Sequence, residues 1–279
     1  MRVSDSVLER LLLEDAPHGD LTTGALKIGD RPGRAFLTVR DPMVVACVEE
    51  AERLFQLVGC QTRLSAHSGD RLEAGAGLLM AEGRAEALHL AWKQAQTLIE
   101  YCSGIATAAA ALVDSARAIN PDIAIACTRK TFPGTRAFAA RAVRAGGASL
   151  HRLGLSETLL VFPEHRAFAP DETLTEQIAR LRRAAPEKKV VVEVNSLGEA
   201  LLAVEAACDV LQLEKFTPEE VARTVAALET CIRRPLVAAA GGVKAANAAA
   251  YAQAGADILV TSSPYQAPPR DVQVRLLPI

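Results

Sequence analysis

Between residues 127 and 136 the chain reads CTRKTFPGTR, an apolar run that ends in Arg129 and Lys130, with Arg136 just beyond a Pro133-Gly134 turn. No carboxylate occurs between Asp122 and Glu157, while Arg129, Lys130, Arg136, Arg141, Arg144, His151 and Arg152 all fall in that interval. Cations delivered by a strand end and not answered by local acids suit an anionic ligand, a carboxylate or a phosphate. A second group is acidic: Glu193 sits in VVVEV and Glu214 follows DVLQL. An acid buried in such a run must be paired or functional, and function is the favoured reading of Glu193. The third group is GGV at 241–243, which opens a helix after a strand. Its backbone N–H groups and the helix dipole can hold phosphate, and Thr261, Ser262 and Ser263 would add hydroxyls. A tight turn explains paired glycines about as well.

Other polar residues read more plainly. Arg141 and Arg144 fit a solvated helix face, and Arg136 the edge of the loop. His67 and His89 read as ordinary surface or satisfied residues, and Trp92 as core or domain interface. The six cysteines lie at least 13 residues apart, so no C-x-x-C pair supports zinc or dithiol chemistry. Buried reduced thiols are expected, with Cys127 serving packing.

Those side chains need elements to place them. From about residue 120 apolar runs alternate with amphipathic ones: 123–127, 148–153, 158–162, 190–194, 209–213, 235–240 and 257–261 read as strands. Caps are expected at Asp171, Ser196 and Thr217, with Gly255 beyond a C-terminus. Strands apolar throughout predict a parallel sheet covered by helices, and seven of them fit a β/α barrel better than an open doubly wound sheet. Catalytic groups of such a barrel collect at the carboxyl ends of its strands, where Arg129, Lys130, His151, Arg152, Glu164, His165, Glu193, Asn195, Glu214, Lys215 and the glycines fall. The first part differs: a charged helix at SDSVLERLLLED, strands at RAFLTVR and MVVACV, a helix at EEAERLFQLV and hairpin pieces near 67–83. The expected division is a small α+β domain at 1–108, with the C-terminal tail 266–279 as a candidate addition, and a barrel at 109–265. A long helix from about Glu86 to Ile119, broken near Ser103-Gly104, should bridge them.

A formal charge of −2 over 279 residues excludes a polyanion binder by bulk charge, so no nucleic-acid partner is expected. Half the residues are hydrophobic and 4% aromatic, which argues against disorder. The first residues, MRVSDSVLERLLLED, are too charged for a signal peptide, and no apolar run approaches the ~20 residues that span a bilayer. A soluble, cytoplasmic protein without a membrane partner is expected.

Taken together, EDAPHGDLTT (14–23), CSGIAT (102–107), TRKTFPGTR (128–136), GGASLHRLGL (146–155), VEVNSLGEA (192–200) and the GGV segment resemble the quinolinate phosphoribosyltransferase (nicotinate-nucleotide pyrophosphorylase) family over nearly the whole chain. The resemblance implies an α/β fold: an irregular, type II phosphoribosyltransferase-like β/α barrel with an N-terminal open α+β sandwich domain. It also implies a homodimer in which the partner subunit completes the site. The implied reaction joins a pyridine dicarboxylate to phosphoribosyl pyrophosphate with Mg²⁺, releasing pyrophosphate and carbon dioxide. Arg129, Lys130, His151, Arg152 and Lys93 would then bind substrate. Glu193 and Glu214 would serve ribose and metal, and Gly241, Gly242, Thr261, Ser262 and Ser263 phosphate.

The departures are specific. Where the family carries Lys-Asp-Asn-His, this chain has Phe162-Pro163-Glu164-His165; an Asp-Asn pair is Glu214-Lys215, and the arginine before SGIAT is Lys93. Each lost charge-assisted contact costs about 1.5–3 kcal/mol in a site for two carboxylates. FPEH, LEKF and TSSPY resemble instead the ModD branch, a pyrophosphorylase-like group associated with molybdenum transport. The leading expectation is a ModD-type transferase using a phosphoribosyl diphosphate donor and an acidic heterocycle other than quinolinate. The alternatives are a genuine carboxylating quinolinate phosphoribosyltransferase of NAD synthesis and a non-catalytic oxyanion-binding protein linked to molybdate.

Overall fold

A computed structural model describes residues 3–279. The chain divides into two compact units, one comprising the residues up to Ala110 with Phe132–Gly147 and Pro264–Ile279, the other Ala111–Thr131 with Ala148–Ser263. Residues 132–147, inside the stretch expected for the barrel, therefore cluster with the first unit.

The first unit holds α1 (Asp5–Asp15), α2 (Leu21–Leu26), β1 (Pro32–Val39), β2 (Met43–Val44), α3 (Val48–Leu57), β3 (Gln61–Leu64), β4 (Arg71–Leu72), β5 (Gly77–Arg84) and the start of α4 (Ala85–Arg117). Along β1 buried and exposed residues alternate, so Ala35, Leu37 and Val39 face the core. The last strand, β13 (Val272–Pro278), returns antiparallel to β1 with Gly33 opposite Pro278, giving a four-stranded sheet of order β13-β1-β5-β3. Phe55, Leu54 and Ala51 of α3 join Leu37 and Leu78 in its core.

Two expectations fail in this unit. The long helix is not broken at Ser103-Gly104: α4 runs unbroken through both residues. A glycine costs a helix only about 1 kcal/mol, and here packing requires it, because a Cβ on Gly104 would lie 2.3 Å from the Pro268 carbonyl oxygen. Nor does Arg141 belong to a solvated face. On α5 (Arg136–Ala145) it lies 2.6 Å from Glu50 Oε1 and 3.4 Å from Glu49 Oε2, and Glu50 is buried. Charge spacing along one helix could not reveal acids on another.

The second unit is one parallel sheet of seven strands in the order β7-β6-β12-β11-β10-β9-β8. The strands are β6 (Ala124–Cys127), β7 (Ser149–Leu150), β8 (Leu159–Val161), β9 (Val190–Val194), β10 (Val210–Glu214), β11 (Leu236–Ala240) and β12 (Ile258–Thr261). Every apolar run predicted as a strand contributes one. No pairing joins β7 to β8 among the described residues, so the sheet is a half-barrel rather than a closed ring. Helices α6 (Pro163–Ala167), α7 (Leu174–Ala184), α8 (Leu197–Glu205), α9 (Pro218–Ala227) and α10 (Ala245–Gln253) connect the strands. Ser196 and Thr217 cap α8 and α9 as expected, accepting from the N–H groups of Glu199 and Glu220. α7 is capped by Thr173 rather than Asp171, because Thr173 also closes a reciprocal capping box with Glu176. Small and branched residues, Ala238, Ala240, Val191, Val210 and Val260, pack with Leu160 in one apolar layer.

The six cysteines are free, five of them buried; burial pushes the Cys127 thiol up to about 12, which suits packing rather than nucleophilic work. No helix among the described residues is long and apolar enough to cross a membrane.

Candidate active site

The cationic group forms because three strand ends lie side by side. Cys127 pairs with Leu150 on one side and Thr261 on the other. The His151 N–H donates to the Cys127 carbonyl oxygen at 2.8 Å, and the Thr128 N–H to that of Thr261 at 2.8 Å. Arg129 and Lys130 thus leave β6 beside His151 and Arg152 leaving β7. Arg152 is only 8% exposed. Its guanidinium faces the Phe162 ring 5.6 Å from the centroid, and no carboxylate among the described residues lies within ion-pair distance of it. Burial first, then the charge of Arg129, pushes Arg152 below its ordinary value. Burial and then Arg152 likewise lower His151, leaving the imidazole neutral at neutral pH. The charge of this wall is therefore carried by Arg129, Lys130 and Arg152.

Phe162 also stacks on His165, with ring centroids 5.6 Å apart and planes 17° apart. The Phe162 N–H donates to His165 Nδ1 at 3.0 Å, so the histidine is fixed by the residue it covers. Glu164, between them, is exposed.

The acidic wall comes from β9 and β10. Glu193 lies opposite Gln212 in register, and Gln212 Nε2 donates to Glu193 Oε2 at 2.6 Å. Burial raises the Glu193 pKa, and the charges of Glu214 and Glu164 raise it further; the Gln212 bond and Lys130 act the other way. These influences gather Glu193, Glu214, Glu164 and Lys130 in one neighbourhood. Gln212 is buried and its Oε1 has no hydrogen-bond partner. Sequence reading passed over it, although a lone polar residue inside DVLQL carries the same signal as Glu193 in VVVEV.

Gly241 and Gly242 follow β11 with φ of +81° and +84°, a left-handed pair that favours glycine. A Cβ on Gly241 would lie 2.8 Å from the Lys215 backbone nitrogen and 2.9 Å from Glu214 Oε1, whereas one on Gly242 meets nothing within 4 Å. The first glycine is a close approach and the second faces open space. Asn247 holds the turn, donating to the Gly242 carbonyl oxygen at 3.1 Å. Thr261 is less available than its place suggests: it is buried, and its hydroxyl donates to the Val243 carbonyl oxygen at 2.6 Å while accepting from the Ser263 N–H. It braces the turn, and Ser262 and Ser263 remain partly exposed beside it. Lys93 belongs to the first unit, where it is exposed on α4, donates to Gln96 Oε1 at 2.8 Å and lies over the Trp92 ring.

The model of the quinolinate phosphoribosyl transferase N-terminal domain matches residues 20–103, and that of the C-terminal domain residues 105–275. The chain belongs to the quinolinate phosphoribosyltransferase family. A Rhodobacter capsulatus protein named as a pyrophosphorylase, ModD, is 51% identical over 91% of this chain and 97% of its own length. An Archaeoglobus fulgidus protein named as a carboxylating nicotinate-nucleotide pyrophosphorylase is 32% identical over 94% of this chain and 99% of its own. The crystal structure of NadC from Streptococcus pyogenes superposes with a TM-score of 0.90 at 26% identity, covering 100% of this chain and 99% of that one. The enzyme class is thus that of the phosphoribosyltransferases, or pyrophosphorylases.

Proposed function

We propose that this enzyme transfers a phosphoribosyl group from a diphosphate donor to an acidic heterocycle other than quinolinate, in the manner of a ModD-type pyrophosphorylase. The observation that carries the reading is Arg152, a buried guanidinium with no ion-paired carboxylate among the described residues and an aromatic ring, Phe162, where the family pattern has lysine. A desolvated cation is costly unless an anion completes it. An apolar ring in place of a second cation favours an acceptor with one acid group over a dicarboxylate.

In the reaction a ring nitrogen of the acceptor forms a bond to the anomeric carbon as the bond from that carbon to the diphosphate oxygen breaks. The pyrophosphate leaves with the electron pair. Positive charge develops on the ribosyl carbon, which Glu193 and Glu214 stabilise as fixed anions. Arg129, Lys130 and Arg152 orient the acceptor's acid group, and the open N–H groups of the Gly241-Gly242 turn suit a phosphate. Two carboxylates fit Mg²⁺, which is commonly held by one or two acids plus substrate phosphates; the described residues offer no cluster of three metal-ligating side chains. The ion would supply charge neutralisation at the leaving diphosphate. As in its relatives' family a homodimer is proposed, with the partner subunit completing the site.

Calorimetry with phosphoribosyl pyrophosphate and Mg²⁺ tests the donor half: saturable binding is expected. Silence with the donor but saturable heat with molybdate would replace the transfer reaction by oxyanion binding. Quinolinate-dependent carbon dioxide release at a useful rate would establish the carboxylating reaction instead.

A further inference from the structure

One strained residue adjoins the two-glycine turn and has no role in the scheme above. Lys215, directly after Glu214, adopts φ +63°, a left-handed conformation that a lysine takes only when its surroundings impose it. Its N–H donates to the Ala240 carbonyl oxygen at 2.7 Å, fixing the backbone at the end of β10. Its side chain then passes over Gly241, since a Cβ there would lie 2.7 Å from Lys215 Cγ. The residue is exposed and without an ion-pair partner among the described residues. On its other side it lines a cleft of about 550 Å³ with Glu214, Asn195, Ser196, Glu220 and Arg223, which the two glycines do not line. A glycine or asparagine would hold the same turn with less strain. The turn therefore does not require a lysine.

We propose that Lys215 binds the 5-phosphate of the ribosyl donor, adding a cation to the backbone donors of Gly241 and Gly242. A phosphate monoester dianion matches a point charge beside open N–H groups, where a compact ammonium serves better than a planar fork. This inference rests on the phosphoribosyl donor proposed above. Arg129, Lys130 and Arg152 remain with the acceptor, so the two anionic ends of the reaction have separate cations.

The test compares the parent with Lys215→Gly and Lys215→Arg, using ribose 5-phosphate, pyrophosphate with Mg²⁺, and phosphoribosyl pyrophosphate with Mg²⁺ as probes. Lys215→Gly should bind ribose 5-phosphate about tenfold more weakly, and the full donor similarly, with pyrophosphate affinity unchanged. Its melting temperature should stay level or rise, because glycine relieves the left-handed strain. Lys215→Arg should recover part of the loss. A purely structural lysine would lower the melting temperature and leave ribose 5-phosphate binding intact, and that result overturns the inference. Loss of pyrophosphate affinity alone would also overturn it, by placing Lys215 at the leaving group. If the parent binds none of the three probes, the donor reading itself falls, a result distinct from equal binding by parent and variant.

Discussion

Two of the arginines that the protein shields from solvent, Arg141 and Arg152, are treated in opposite ways. Arg141, in the first unit, meets Glu50 at 2.6 Å and Glu49 at 3.4 Å. Arg152, in the second, has a phenylalanine ring at 5.6 Å and a neighbouring arginine that repels it. The acids divide likewise. Burial raises both Glu50 and Glu193, but Glu50 has Arg141 in direct contact, whereas Glu193 is held by the Gln212 amide, with Glu214 and Glu164 raising it and Lys130 lowering it without an ion pair among the described residues. A closed ion pair holds a fold together. On the function proposed above, separated charges of both signs suit anionic substrates at one wall and the positive charge that develops on the ribosyl carbon at the other.

Breaking the closed pair should have the largest effect. Arg141→Met leaves Glu50 buried and alone, and unpairing such a charge costs about 3–5 kcal/mol. Thermal unfolding should show a fall of several degrees, while donor affinity per folded molecule stays at the parental value. Glu193→Gln should do the reverse. Loss of one preorganised electrostatic group costs about 10²–10³ in kcat, roughly 2.7–4 kcal/mol. Stability should rise at the same time. Because folding raises the Glu193 pKa, the folded state binds that proton more tightly; the resulting stability is present below the ordinary glutamate range and lost as pH rises through the folded value. The variant's gain in melting temperature should thus appear at pH 7 and vanish near pH 4.

Arg152→Met comes third. Anion affinity should fall by about ten- to a hundredfold, equivalent to about 1.5–3 kcal/mol, with the melting temperature level or higher. A drop in stability like that of Arg141→Met would erase the contrast between the two arginines. The smallest effect is expected from Gln212→Leu, which removes the bond that holds Glu193 down. The acidic limb of the activity profile should move to higher pH, since more of Glu193 is then protonated at any given acidity. An unmoved limb would separate Gln212 from the chemistry.

Much of this arrangement is legible in the sequence, and what is not has a physical cause. All seven strands of the half-barrel announce themselves because parallel strands buried on both faces are apolar throughout. Strand ends follow from strands, so Arg129, Arg152, Glu193 and Glu214 could be placed at one end of the sheet without coordinates. Whether a charge is answered depends on residues distant in the chain, which is why Arg141 and Arg152 look alike in sequence. Gly104 reads as a helix break because only the fold shows the Pro268 carbonyl against it. Lys215 could be placed at a strand end from the sequence, but its left-handed backbone could not, since that is set by Ala240 and Gly241 across the sheet.

The central claim, transfer of a phosphoribosyl group to an acceptor other than quinolinate, is tested most directly by pyrophosphate release. The enzyme would be given phosphoribosyl pyrophosphate, Mg²⁺ and, one at a time, a set of carboxylated heterocycles that includes quinolinate. The account predicts acceptor-dependent release with a planar heterocyclic acid and none above background with quinolinate. Release with quinolinate that equals or exceeds every other acceptor would contradict it.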